Sequence, residues 1–248
     1  MEKRLVRSRA SQLASFLELI KEYYCKEDER HEAVVKKYEI DELINYLNRA
    51  DDNGRLPVKC DGITFTVRCS NMDPRPRLKG KTIDVILTLK YELTEDNRIR
   101  ETKTKEEKDG NIDIYECNIQ IKGKSELDTG RKFAWHLDCE ENTDGKFVHP
   151  RFHFHAGGKK ISGIETGGLL MISSPRIAYP PMDLPLAINF VIRNFVHRDE
   201  MSGHYAILKK KPYKEVVVKS ELAIMKPYFC DVIEKLGTNQ NHYFPVSV

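Results

Sequence analysis

No apolar run in this sequence reaches the ~18 residues that a membrane-spanning helix needs. There is one tryptophan, there is no Cys-x-x-Cys pair, and no segment repeats or falls into low complexity. Each absence removes a class of answer. Without a spanning helix, no contact with a bilayer is expected. Without paired cysteines, neither zinc-ribbon spacing nor a dithiol redox motif is available. The six cysteines, Cys25, Cys60, Cys69, Cys117, Cys139 and Cys230, are scattered and read as reduced packing residues. A one-sided charge is missing too. The formal net charge is +3, so bulk electrostatics does not mark a nucleic-acid binder and any basic footprint must be local. The opening Met1-Glu-Lys-Arg4 lacks the apolar core of a signal peptide. The expected compartment is the cytoplasm.

What is present is a globular composition, 40% hydrophobic and 32% charged over 248 residues. Leu13, Phe16, Leu17, Ile20 and Tyr24 recur at intervals of three and four, one stripe of an amphipathic helix. A second helical stretch is expected after the charged break Lys26–Arg30, and a third through Ile40, Leu43, Ile44 and Leu47, ending at the turn signal Asp51–Gly54. The period then changes to two. Ile63, Phe65, Val67 and Cys69 alternate with polar residues, as do Val85, Leu87, Leu89 and Tyr91. Further strands are expected over 112–122, 132–140 and 147–155, with a charged hairpin tip over 94–110 and a short apolar strand at Leu169–Ile172. Asp183 and Pro185 read as the cap and first turn of a helix with Leu186, Phe190, Val191 and Phe195 inside. Two helical pieces, near 213–225 and 228–236, are expected to be separated by Pro227. The fold class is therefore α+β: an antiparallel β-meander packed with N-terminal and C-terminal helices. Residues 1–54 form a helical region and 55–248 the sheet with its C-terminal helices, as two parts or one continuous domain.

The chemistry-bearing residues concentrate on one strand, His149-Pro-Arg-Phe-His-Phe-His155. Alternation places His149, Arg151, His153 and His155 on one face, and Val148, Phe152 and Phe154 on the other. Two kinds of chemistry fit. In the first, His153 and His155, about 7 Å apart along a strand that rises ~3.3 Å per residue, chelate one divalent ion. His136 or Asp138 on the preceding strand supplies the third ligand, giving His153, His155 and His136 as the metal set. In the second, no cofactor is needed: two histidines act as general base and general acid, His149 or His136 supports them, and Arg151 and Arg176 hold phosphate. That is the minimum for cleaving RNA through its own 2′-hydroxyl, and this metal-free form is the first expectation. Inert histidines on a sheet surface, or a polar interface with a protein partner, are the competing readings.

The run Phe133-Ala-Trp-His136, a turn, then His149 to His155 and a later helix resembles the core of TumE-type bacterial toxins. That resemblance implies a toxin or antiviral-defence protein of a bacterium, with nuclease-like action on RNA and a protein partner from the same operon. The N-terminal helix, the meander, His149-Pro150-Arg151 and a helix opened at Pro180-Pro181 also resemble the ubiquitin-conjugating (E2-like) fold. Since no cysteine lies between Arg151 and Asp183, that second resemblance implies a non-enzymatic module that binds a partner protein through the histidine face.

Overall fold

The computed structural model describes residues 3–25, 34–49, 55–68, 82–110, 113–123, 132–139, 152–156, 177–196, 204–236 and 238. Two N-terminal helices, α1 (Lys3–Tyr24) and α2 (Lys37–Asn48), precede the sheet. The strands are β1 (Leu56–Arg68), β2 (Thr82–Leu93), β3 (Glu116–Gly123), β4 (Lys132–Cys139), β5 (Phe152–Ala156) and β6 (Ile177–Ala178). They lie side by side in sequence order, and every neighbouring pair is antiparallel. A short helix α3 (Lys105–Asp109) sits in the β2–β3 connection; α4 (Leu184–Phe195), α5 (Lys211–Ser220) and α6 (Lys226–Lys235) follow the sheet. The molecule is an α+β protein with an open six-stranded meander, as the patterning predicts. No described helix is long and apolar enough to cross a membrane.

Period-two patterning decides which face of the sheet is core. Along β2 buried and half-buried residues alternate without exception, with Val85, Leu87, Leu89 and Tyr91 inside. Across the sheet Ile63, Phe65, Cys117, Ile119 and Leu137 continue this face in register, and Cys139 with its partner Phe152 extends it; all are buried. This face packs into one apolar cluster with Leu13, Phe16, Leu17 and Ile20 of α1, Ile40 and Leu47 of α2, and Ile188, Val191 and Ile192 of α4. The entry to α4 is fixed by polar groups inside this cluster. Tyr115 Oη donates to the Met182 carbonyl at 3.1 Å and accepts from Met182 N at 2.8 Å, while Tyr91 Oη accepts from Leu184 N at 3.1 Å. Asp183 caps the helix through Leu186 N and also pairs with Arg9 Nη2 at 2.8 Å. Arg9 donates in turn to Ser220 Oγ at 2.9 Å, so one buried ion pair ties α1, α4 and α5 together.

Three details depart from the sequence-based expectation, and one short strand adds to it. Val34 and Val35 are not helical: Val34 lies in a bend, Val35 bridges to Phe65, and Thr66 N donates to the Val34 carbonyl. Two β-branched residues beside an edge strand satisfy its open backbone groups better than a helical turn would. The β2–β3 connection is more than a hairpin tip, because a capping box between Thr104 and Glu107 nucleates α3. The strand that pairs with β5 is Ile177–Ala178; Leu169–Ile172 lies outside the described residues. Pro227 does not separate two helices. A π-turn, Glu221–Met225, joins α5 to α6 without a break, and the Lys226 N–H reaches the Glu221 carbonyl five residues back. The widened turn gives the proline ring room where an α-helical carbonyl would clash with it.

Candidate functional site

The face of the sheet opposite the core carries polar residues, and the register assembles four of them into a square. His136 pairs with His155, and Asp138 pairs with His153, across β4 and β5. Within each strand the two members are two residues apart, so all four side chains leave the same face. Phe152 and Phe154 of β5 point the other way: Phe152 is buried against Tyr115, and Phe154 packs on Tyr179 and Phe190. The alternation predicted for the histidine strand therefore holds for its described part. Trp135, partly buried on the core side, packs against Phe195.

All three imidazoles converge on one carboxylate. His136 Nε2 lies 2.7 Å from Asp138 Oδ2, His153 Nε2 lies 2.8 Å from Asp138 Oδ1, and His155 Nε2 lies 4.0 Å from Oδ2. The rings of His153 and His155 stack at 5.5 Å, and His136 meets His155 edge-on at 5.1 Å. Burial alone would push the Asp138 carboxyl up, but the hydrogen bonds from His136 and His153 outweigh it and hold the group below the usual carboxylate range. The carboxylate is thus ionised at neutral pH.

One contact demands more than neutral groups supply. Nδ1 of His136 is hydrogen-bonded to Asn118 Oδ1, while Nε2 faces Asp138. Both ring nitrogens therefore face oxygen acceptors, and a neutral imidazole has a single N–H. The second contact is attractive only if a positive charge lies there, either a second ring proton or a metal ion on Nε2. His136, Asp138 and His155 each offer one ligand atom within 4.8 Å of the others, the spread from which a metal ion could be held. Around one tetrahedral zinc-like ion such atoms sit about 3.3 Å apart, from metal–ligand distances near 2.0–2.1 Å. Sub-ångström side-chain shifts would close the difference. Two imidazoles and one carboxylate suit zinc, manganese or iron better than magnesium or calcium.

The site differs in composition from the sequence-based set. His136, His153 and His155 are brought together. Asp138, a substitute for His136 in the sequence-based set, stands with it in the group that could hold a metal ion, and His153 faces the other oxygen of the carboxylate. His153 is also more enclosed than expected, at 1% exposure against 15–18% for the side chains of Asp138, His136 and His155. His149, Arg151 and Arg176 lie outside the described residues. Asn118 was missed, because nothing in its own strand marks it and only the pairing Asn118↔His136 brings it into the site. Comparison with protein-family models, with curated proteins and with solved structures found no match for this chain.

Proposed function

We propose that the protein is a hydrolase of the nuclease kind that cleaves RNA with the help of a divalent metal ion held by His136, Asp138 and His155. The observation that carries this reading is the convergence of two imidazoles on an ionised carboxylate, with one imidazole contact that calls for a positive charge. Three protein ligands leave a coordination position for water, the pattern of catalytic and not of purely structural sites. The ligands keep 15–18% of their surface exposed, so solvent and a phosphodiester can reach them. A zinc ion held there would bring the pKa of its water to about 7 and polarise a phosphoryl oxygen. His153 holds Asp138 in place through Oδ1, and Asp138 in turn orients its other oxygen toward His136. The resemblance to TumE-type toxins supports the choice of RNA as substrate and of a bacterial toxin or defence role.

A metal-free form is the second reading. The 2.7 Å contact of His136 with Asp138 is also an ordinary distance for an imidazolium–carboxylate hydrogen bond. A single experiment separates the readings. Purified protein is incubated with labelled single-stranded RNA after dialysis against a chelator, with and without added zinc or manganese. Cleavage that needs added metal and disappears in His155→Ala supports the metal-dependent hydrolase. Cleavage undiminished by chelator favours acid–base catalysis by the histidines alone. Absence of cleavage from protein carrying a full equivalent of metal overturns both and leaves the non-enzymatic, partner-binding alternative.

A further inference from the structure

The polar row that ends at Asp138 begins two strands away. Asn118 of β3 stands beside His136 in register, and Thr88 of β2 stands beside Asn118. Asn118 is 4% exposed, and all of its side-chain capacity is directed within the sheet. Its Nδ2 donates to Thr88 Oγ1 at 3.3 Å and to Glu116 Oε1, and its Oδ1 meets His136 Nδ1. The orientation of this amide is fixed by its partners. A carboxylate only accepts, so the NH₂ group must face Glu116 and the carbonyl oxygen must face His136. The ring nitrogen opposite that oxygen must then carry a proton.

From this geometry we infer that Asn118 is the positioning residue of the centre: held by Glu116 and Thr88, it keeps the proton of His136 on Nδ1 and so commits the Nε2 lone pair to the metal ion. The inference rests on the metal-dependent reading of the same site. Imidazole ligands generally donate their second N–H to an oxygen, which fixes both the tautomer and the ring plane, and loss of such a partner weakens metal binding by about 10–100-fold. Here the partner is an amide in place of the more usual carboxylate or backbone carbonyl, and a second residue, Glu116, sets its direction. Without Glu116 the amide could turn over and present NH₂ to the ring. The ring would then accept at Nδ1 and place its proton on Nε2, where it would exclude the metal.

The test is a titration of metal-free protein with Co²⁺, read by its visible absorption and by calorimetry. Asn118→Leu removes the acceptor while keeping the branching of the side chain, and is expected to weaken Co²⁺ binding about 10–100-fold. The double variant Glu116→Gln with Asn118→Asp exchanges the amide and the carboxylate between the two positions. It restores an acceptor toward His136 and a donor between the pair, and is expected to bind Co²⁺ within a few-fold of the wild type with the same absorption bands. A merely structural asparagine would move the melting temperature of metal-free protein without moving the Co²⁺ absorption bands, so both are read for every variant. If Asn118→Leu does not fold, the comparison of the double variant with Asn118→Asp alone carries the test, since the single variant sets two carboxylates against each other. Wild-type protein that takes up Co²⁺ while the Asn118 variants bind equally well overturns the role of Asn118 and leaves the metal centre standing. Wild-type protein that takes up neither Co²⁺ nor Zn²⁺ overturns both.

Discussion

Asp138 and His153 stand opposite each other in the β4–β5 ladder, and the imidazole Nε2 lies 2.8 Å from Oδ1 of the carboxylate. Because His153 is 1% exposed and His155 side chain 17% exposed, the two histidines of one strand should respond differently to replacement. His153→Ala strands a buried carboxylate oxygen, at a cost of about 1–3 kcal/mol. At about 2–4 °C per kcal/mol for a chain of this size, the melting temperature should fall by several degrees. His155→Ala should leave the melting temperature of metal-free protein within about 2 °C, because the side chain is partly exposed and its approach to Asp138 is long, at 4.0 Å, and still abolish metal uptake. Differential scanning fluorimetry in chelator, paired with metal analysis, reads both. Equal thermal effects of the two replacements would contradict this assignment.

The Asp138 carboxyl is held below its ordinary value in the folded protein. Its contribution to stability is therefore complete above the unfolded-state pKa of about 3.9 and declines as the pH falls through that value and below. Asp138→Asn should be less stable than wild type near neutral pH, and the gap should narrow as the pH is lowered through about 4. Urea denaturation of both proteins between pH 3 and 7 measures the gap. A difference that stays constant over that range would show that the carboxylate charge contributes nothing.

The buried Arg9–Asp183 pair, at 8% and 0% exposure, makes a sharper prediction about stability. Burial pushes the Asp183 carboxyl up, and the guanidinium together with Ser220 and the Leu186 amide opposes it. Arg9→Ala leaves that carboxylate inside the core with its counter-ion gone and should cost about 3–5 kcal/mol. Ser220→Ala removes a hydroxyl shared by the arginine and the carboxylate, leaves the ion pair itself in place and should cost less, about 1.5–3 kcal/mol. Chemical denaturation of each variant ranks them, and the reverse order would refute the pair as the tie between α1, α4 and α5.

Thiol reactivity should follow burial. The Cys60 thiol is pushed up to about 12 by burial, and burial raises Cys117 further still; Cys230 is exposed on α6. Since the thiolate is the reactive form, an aromatic disulfide reagent should label Cys230 within minutes in native buffer. Cys60 and Cys117 should react only when the protein unfolds. Mass spectrometry of labelled peptides checks this, and fast labelling of Cys117 would place β3 closer to solvent than it stands here.

How much of this was legible beforehand depends on whether the signal was local. The helix stripe Leu13, Phe16, Leu17 and Ile20 and the Asp183–Pro185 start of α4 were readable because capping and periodicity act within a few residues. Pro227 misled for the opposite reason. A proline marks a break in a regular α-helix, but the preceding π-turn absorbs it, and that turn has no sequence signature of its own.

The sequence by itself determined which way each strand faces. Val85, Leu87, Leu89 and Tyr91 had to be inside, and His153 and His155 had to leave the opposite face from Phe152 and Phe154, because successive side chains in a strand alternate and apolar ones leave water. Only the tertiary structure decided which polar residues share that opposite face. Register between strands is a long-range property set by the whole hydrophobic pattern, and a slip of one residue would have pointed Asp138 and Asn118 into the core. The pairings Asp138↔His153 and Asn118↔His136 turned a concentration of histidines into a carboxylate-centred group with an amide beside it.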